Sequence, residues 1–498
     1  MVSDSTRPTA PPRTPLATLG EWLGAAVHGD PSDVTVTGVS LSSQRVRPGD
    51  LYAALPGARA HGIDFAADAV GSGAVAVLTD PAGAERSVVG VPLLVVERPR
   101  AALGRLVAHV YGDPATSMRM VGVTGTQGKT TTTRLLEAGL SHAGVPAAVI
   151  GTVGTRVAGE DVRTALTTPE APDLHGLFAM MRERGVQACA MEVSSHALVM
   201  GRVDGVVFDV AVFLNLGRDH LDFHAGVEDY YQAKASLFTP ERARLALVNV
   251  DDEHGRRLAG ETTLPVRTVS VTGAADWRVE DVELRADGST FTVVAPDGAR
   301  LPAGCPLPGD FNVANTLAAV AAAGEAGLDA TAVAAGIAVS GGVPGRLERV
   351  DAGQDFVVVV DYAHKPDAVE AAIRTLRPLT DGRVIVVLGA GGDRDPGKRP
   401  LMAGIAARLA DLLVVTDDNP RTEDPAAIRA AMLAGVDSGE AIEVGDRREA
   451  IREAVRRARP GDIVLVAGKG HETGQEIDGV VHPFDDREVV REEIACSR

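Results

Sequence analysis

The stretch that most restricts what this chain can become is GVTGTQGKTTTT, residues 122–133. An apolar run ending near Val123 reads as a buried strand, Gly125 and Gly128 allow a tight turn, and a helix opens at Lys129. Such a turn aims backbone N–H groups and the positive end of a helix at one point, which is where a phosphate settles. Lys129 is placed to reach the terminal phosphates of a nucleotide, and the hydroxyl of Thr130 or Thr131 to sit on its Mg²⁺. Val123 stands where the general motif has its first glycine, so the loop is a shortened variant. The ordered arrival of strand, turn, lysine and hydroxyls argues against a chance Gly-Lys-Thr.

A strand–loop–helix unit of this kind belongs in a parallel sheet, and the rest of the chain alternates accordingly. Its 498 residues exceed a single core and suggest about three domains. Residues 1–14 lack apolar periodicity and read as a disordered lead-in. Residues 15–112 form a small mixed α/β domain, with strands expected at 34–39 and 51–55 and helices near 62–69 and 100–111. Residues 113–345 read as a doubly wound parallel sheet, with strands at 147–150, 188–193, 208–213 and 245–250. Residues 346–498 repeat the pattern as a Rossmann-like domain, with strands at 356–360, 384–388, 412–416 and 463–467. A helix at 447–459 places Ala450, Ile451, Ala454, Val455 and Ala458 on one face. In GAGGDR, Arg394 occupies the place of the third fingerprint glycine, so a dinucleotide is not indicated.

Charge narrows the partners. With 49 Lys and Arg against 67 Asp and Glu, the net charge of −18 disfavours nonspecific nucleic-acid or anionic-membrane binding. A polyanionic substrate must then be met by local cations and oriented backbone. Cys189, Cys305 and Cys496 match no metal spacing and fit a reducing compartment. No run has the length of a membrane span, and the first residues lack the apolar centre of a signal peptide, so a cytoplasmic protein without membrane insertion is expected.

Six segments carry chemistry, and all follow expected strands, where ligands of such sheets gather. In MEVSSHAL, Glu192 is placed to hold a cation, or else is a solvated residue beside a helix capped by Ser194 or Ser195. NLGRDHLDFH packs Asp219, His220, Asp222 and His224 together, which favours metal or phosphate work, zinc excepted. In EDYYQAKASLF, helical spacing surrounds Lys234 with Tyr230, Tyr231, Leu237 and Phe238. Such burial would lower its pKa and favour a neutral amine able to take up carbon dioxide; a snorkelling surface lysine is the local alternative. In GGDRDPGKRP and DDNPRTEDP, Arg394 and Arg421 could hold a carboxylate and Asp418 an ammonium, a combination suited to an amino acid; an ordinary Asn-Pro turn is the alternative. GKGHE adds Gly468 and Glu472 at a third strand exit.

Taken together, GTQGKTT, MEVSSHAL, GRDHLDFH, YYQAKASLF, GDFNVANTLAA, GRLE, DYAHKPDA, GGDRDPGKRPLM, DDNPR and GKGHE occur in the order found in the Mur ligase family, which the chain resembles over nearly its whole length. The resemblance implies an ATP-dependent amide ligase of peptidoglycan precursor synthesis. DDNPR with GDRD and GKGHE is similar to the family branch that adds diaminopimelate to UDP-N-acetylmuramoyl-L-alanyl-D-glutamate. It further implies that Gly125, Thr126, Gln127, Gly128, Lys129, Thr130, Thr131, Asn315, Arg346 and Asp361 contact ATP. Thr130, Glu192, His220 and a carbamylated Lys234 would hold two Mg²⁺ ions, with Lys129, Glu192, His220 and Lys234 catalytic. Leu41, Ser43, Gly57, Ala58, Arg59 and Ala60 would touch the UDP part, and Thr167, Thr168, Ser194, Met200 and Arg202 the muramoyl dipeptide. Arg394, Asp418, Asn419, Pro420, Arg421, Gly468 and Glu472 would grip diaminopimelate. A monomer is expected. Gln127, Leu166, Met200 and the SSQ of residues 42–44 depart from residues common in the family. The nearest rivals are a folylpolyglutamate synthase, the D-alanyl-D-alanine-adding ligase and a non-hydrolysing nucleotide-binding relative. DDNPR argues against the first two, and intact Lys129, Glu192, His220 and Lys234 against the third.

Overall fold

The computed structural model describes residues 6–87, 89–217, 219–220 and 223–496. The chain divides into two compact units, Met1–Arg278 with Ala295–Asp297 and Leu317–Gly336, and Val279–Val294 with Gly298–Thr316 and Ile337–Arg498.

The first unit carries two main sheets, besides the short antiparallel pair Thr14–Pro15 with Thr35–Val36. In the smaller, Gly38–Ser40, Asp50–Ala53, Ala76–Thr79 and Leu93–Val95 run parallel in that order, and Ala26–His28 closes the edge antiparallel to Leu93–Val95. Leu51, Leu78 and Leu94 of these strands pack with Leu103, Leu106 and Val107 of the helix Pro99–Val110. The expected disordered lead-in needs correction from residue 6 onward. Thr6 Oγ1 donates to Asp173 at 2.7 Å, Arg7 pairs with buried Asp50 at 2.6 Å, and the Thr9 and Ala10 amides both donate to Glu183 at 2.8 Å. Polar residues that look unfoldable by composition are here the partners of carboxylates far along the chain.

The larger sheet has its parallel strands in the order Ala147–Ile150, Ala188–Glu192, Arg119–Thr124, Val210–Phe213, Ala246–Asn249, Val266–Ser270. Arg119–Thr124 is buried at all but its first residue, as a strand covered on both faces must be. Chain order reverses about this strand, so its carboxyl end and those of Ala188–Glu192 and Val210–Phe213 bound the crevice where such sheets bind ligands. A hairpin of Thr155–Val157 and Glu160–Val162, not foreseen from sequence, extends the edge beside Ala147–Ile150.

The second unit contains the sheet Glu348–Arg349, Val357–Asp361, Ile463–Ala467, Val384–Ala390, Leu412–Asp417, Ala441–Glu443, parallel except for the first strand. The four strands foreseen here occur, and the helix Arg447–Arg457 buries Ala450, Ile451, Ala454 and Val455 against the sheet, the face that the 3.6-residue period predicts. Two antiparallel hairpins were not foreseen, Gly288–Val294 with Arg300–Cys305 and Gly474–Ile477 with Val480–Pro483. Among the described residues no helix is long and apolar enough to cross a membrane.

Candidate active site

The glycine turn takes the shape that its residues require. Gly128 caps the helix Lys129–His142 at φ 86°, a left-handed conformation open to glycine at little cost. The end of the neighbouring strand braces the loop: Thr126 N donates to the Asn215 carbonyl at 3.0 Å and Gln127 N to Asn215 Oδ1 at 2.9 Å. Two of the loop amides are thus engaged within the protein, which narrows the phosphate-facing set expected from sequence. Asn215, which sequence reasoning overlooked, also explains why Gln127 is tolerated, since only main-chain atoms of residue 127 are used: Asn215 Nδ2 donates to its carbonyl at 3.2 Å.

Two lysines converge on one oxygen. Lys129 Nζ and Lys234 Nζ each donate to the Gly125 carbonyl at 2.8 Å. Lys234 is 1 % exposed, enclosed by the buried Tyr230, Tyr231, Leu237 and Phe238, with its Nζ 4.5 Å from the centre of the Tyr230 ring. The snorkelling alternative is therefore corrected: this side chain ends inside the protein. Burial, reinforced by the charge of Lys129, holds its pKa well below the usual lysine value. The result is a buried amine whose uncharged form is favoured, beside the Lys129 side chain.

Glu192 ends the strand next to the loop strand, in register with Val123. It is 1 % exposed, so the solvated alternative is also corrected, although Ser194 does cap the following helix by accepting from Ala197 N at 3.2 Å. Its carboxylate accepts from Thr152 N at 2.7 Å and Thr152 Oγ1 at 3.1 Å and makes no direct ion pair among the described residues, Arg134 acting on it only at a distance. A buried carboxylate so placed suits a cation.

His220 holds a left-handed φ of 53°, and its ring lies 4.9 Å from that of His196 and 6.1 Å from Tyr230, the ring beneath Lys234. Asp222 lies outside the described residues. His224 departs from the metal-or-phosphate reading of this cluster: it is buried between Ser195 Oγ at 2.9 Å and Asp229 Oδ2 at 3.0 Å. It ties the segment after Glu192 to the helix Val227–Ala235 that carries Lys234. Among the described residues no three His, Cys, Asp or Glu form a ready metal cage. Thr130, Glu192, His220 and Lys234 therefore fit Mg²⁺ only as a partial set completed by phosphate oxygens, the usual manner of Mg²⁺ binding.

The dipeptide candidates cluster beside Glu192. Thr168 Oγ1 donates to the Glu192 carbonyl at 2.8 Å and lies 3.4 Å from Ser194 Oγ, and Thr167 Oγ1 is 3.1 Å from Thr152 Oγ1. Arg202 is aimed by Glu170 at 2.8 Å, the Thr168 carbonyl at 3.3 Å and the Met200 sulfur at 3.2 Å. In the small sheet, Ser43 opens the turn Ser43–Arg45 just beyond Leu41, and the exposed turn of Gly57, Ala58, Arg59 and Ala60 follows Asp50–Ala53. Both leave the same edge of adjacent parallel strands.

In the second unit, three strand ends meet. Asp418 is buried, and its carboxylate takes no hydrogen bond or ion pair among the described residues. Asn419 Nδ2 donates to Glu472 at 2.9 Å and its Oδ1 accepts from Lys469 Nζ at 3.0 Å. Lys469, fully buried, stood inside GKGHE and was passed over in the sequence reading. Arg421 is neither a surface residue nor wholly open: its Nε donates to Glu476 at 3.0 Å and its Nη1 to the Gly392 carbonyl at 2.7 Å. Its backbone, at φ 53°, pairs with the unforeseen hairpin through Glu476 and Asp478. Pro420 is buried beside it, and Arg394 is exposed. Asp361 accepts from Leu347 N and Ala363 N at 2.7 and 2.8 Å, and burial raises its pKa against the opposing charge of Arg346, which lies over Tyr362. Asn315 is buried and donates to Asn312 Oδ1 at 3.1 Å.

Family models match three consecutive segments: the Mur ligase family catalytic domain over residues 35–111, the Mur ligase middle domain over 123–323 and the Mur ligase glutamate ligase domain over 345–470. The chain belongs to the Mur ligase family. Like other Mur ligases it is an ATP-dependent ligase with a three-domain α/β fold. A UDP-N-acetylmuramoyl-L-alanyl-D-glutamate–2,6-diaminopimelate ligase of Streptomyces coelicolor is 58 % identical, covering 98 % of both chains. One of that name from Corynebacterium efficiens is 50 % identical over 96 % of this Mur ligase and 94 % of its own length. A solved structure of that name superposes with a TM-score of 0.70 at 35 % identity, covering 94 % of this chain and 96 % of its own.

Proposed function

We propose that this Mur ligase joins 2,6-diaminopimelate to the D-glutamate carboxylate of UDP-N-acetylmuramoyl-L-alanyl-D-glutamate, with cleavage of ATP to ADP and phosphate by phosphoryl transfer. The observation that carries the reading is the meeting of Lys129 and Lys234 at the Gly125 carbonyl, beside a buried Glu192 that makes no direct ion pair among the described residues. A free carboxylate acylates amines poorly at neutral pH. Transfer of the γ-phosphoryl group to its oxygen creates a leaving group; the amine of the second substrate then attacks the acyl carbon, and the tetrahedral adduct releases phosphate.

The residues divide that work. Gly128, Lys129 and Thr131 cradle the phosphates, with Thr126 and Gln127 bracing the loop through Asn215, and Lys129 offsets the charge that gathers as two anions approach. Thr130, Glu192, His220 and Lys234 as its carbamate would hold Mg²⁺, which would supply electrophilic assistance to the phosphoryl oxygens. The depressed basicity of Lys234 fits carbamate formation, in which the amine adds to carbon dioxide and releases a proton, leaving an anion beside the Lys129 cation. Thr167, Thr168, Ser194 and Arg202 orient the dipeptide. Asp418, a buried carboxylate near Lys398 and Arg447 but in direct ion pair with neither, receives an ammonium, and Arg394 and Arg421 meet a carboxylate of diaminopimelate, with Asn419, Gly468 and Glu472 shaping the pocket. By the family resemblance, Asn315, Arg346 and Asp361 of the second unit are also assigned to ATP.

The test is a ligation assay with meso- and LL-diaminopimelate and with lysine, following phosphate release and identifying the product by mass. The expected product carries one diaminopimelate, with phosphate release dependent on both substrates. Lysine turnover equal to that of diaminopimelate would overturn the assignment of the amino donor.

A further inference from the structure

The most enclosed ion pair of the second unit lies behind the proposed amino-acid pocket. Arg447 and Asp486 are both fully buried side chains, joined at two points: Arg447 Nε donates to Oδ1 and Nη2 to Oδ2, each at 2.7 Å. Such a pair is expensive to desolvate and seldom stabilises a fold more than apolar residues of similar volume would. Its position is also costly for a helix, because Arg447 is the first residue of Arg447–Arg457, where the helix dipole disfavours a cation. Stability of the fold therefore does not account for it.

The remaining contacts of the guanidinium do. Arg447 Nη1 donates to the Asp417 carbonyl at 3.3 Å and Nη2 to the Ala467 carbonyl at 3.0 Å. These carbonyls end two strands lying on opposite sides of Val384–Ala390. The residues that follow them are Asp418 and Gly468, which meet so closely that a Cβ on Gly468 would stand 2.4 Å from Asp418 Oδ2. The planar fork thus spans the central strand and fixes the spacing of two turns, and lysine, a single point donor, has no equivalent geometry.

Resting on the proposed function, we infer that Arg447, oriented by Asp486, is a positioning residue for the amino donor: it sets the separation of the Asp418 and Gly468 turns without touching the substrate. The effect is a selective one. Loosening the fork lets the Asp418 carboxylate move relative to Gly468, while the glycine loop and the dipeptide candidates belong to the other unit.

The experiment compares full-length wild type, R447K and the double variant R447M/D486L, which removes both members of the pair together. KM is measured separately for diaminopimelate, ATP and the UDP-dipeptide, alongside cooperative thermal unfolding. The expected result is a KM for diaminopimelate raised about tenfold or more, the loss of one or two charge-assisted hydrogen bonds, with the other two KM values within about twofold. R447K should move in the same direction, and it decides the question if the double variant does not unfold cooperatively. An unchanged KM for diaminopimelate in a folded variant, or an equal rise for all three substrates, overturns the inference. The wild-type assay separates this from the function itself: if the wild type takes another amino donor, the proposed function fails, and the same KM comparison is made with that donor.

Discussion

Replacing Gly468 with alanine is the sharpest single test of the amino-acid pocket, because its two effects can be calculated apart. Gly468 has φ 118°, where an L-residue is strained, and the new methyl would lie 2.4 Å from Asp418 Oδ2. The backbone term is about 1–2 kcal/mol. Ordinary contact begins at 3.4 Å, so the carboxylate must retreat by 3.4 − 2.4 = 1.0 Å. Asp418 is buried, and its backbone carbonyl is held by Gln475 Nε2 at 2.7 Å, so the side chain has little room in which to yield. A charge-assisted contact displaced that far loses most of about 1.5–3 kcal/mol, a rise of about ten- to one-hundredfold in the KM for diaminopimelate. Gly461→Ala is the matched control: φ is 83° and nothing lies within 4 Å of its Cβ, so it carries the backbone strain alone. Initial rates with varied diaminopimelate at saturating ATP and UDP-dipeptide give the answer. Equal KM values for the two folded variants would refute the reasoning.

Four further outcomes are expected. Lys234→Met should keep the packing of the buried stem yet remove most activity, and Lys234→Ala should be partly rescued by small carboxylates; full activity of wild type in carbonate-free buffer would reject the carbamate. Arg421→Ala should impair use of diaminopimelate far more than ATP binding, since it removes the contacts to Glu476 and Gly392 as well as a carboxylate partner; equal impairment would reject its role. His224→Ala should loosen the helix that carries Lys234 by freeing Ser195 and Asp229, seen as faster amide exchange over Val227–Ala235; unchanged exchange would rule out the tie. His175 is fully buried, and burial lowers its pKa from 6.5 to about 4. The unfolded chain takes up a proton below pH 6.5 that the native histidine refuses until about 4, so stability should fall as pH drops through that window, by about 3 kcal/mol in all. Denaturant midpoints at pH 7 and 5 check this, and His175→Gln should flatten the difference.

The nucleotide loop, the alternating strands and the buried face of Arg447–Arg457 were legible because each depends on neighbours within a few turns or strand pairs of chain. The order of motifs likewise identified the family without coordinates. Local pattern stopped short wherever a partner came from far away. Lys234 could have ended in solvent or in the core, and only the folded first unit places it on the Gly125 carbonyl, so its lowered basicity is a consequence of tertiary packing. Residues 6–13 looked disordered until their partners Asp50, Asp173 and Glu183 were in place. The hairpin that holds Arg421 and the fork of Arg447 across two strand ends left no periodic trace. The residues fixed which elements could form, through side-chain spacing and backbone preference. Sheet order and long-range burial decided which charges would be dry, paired or left for a ligand, because desolvation depends on everything packed around a group and not on the few residues beside it in the chain.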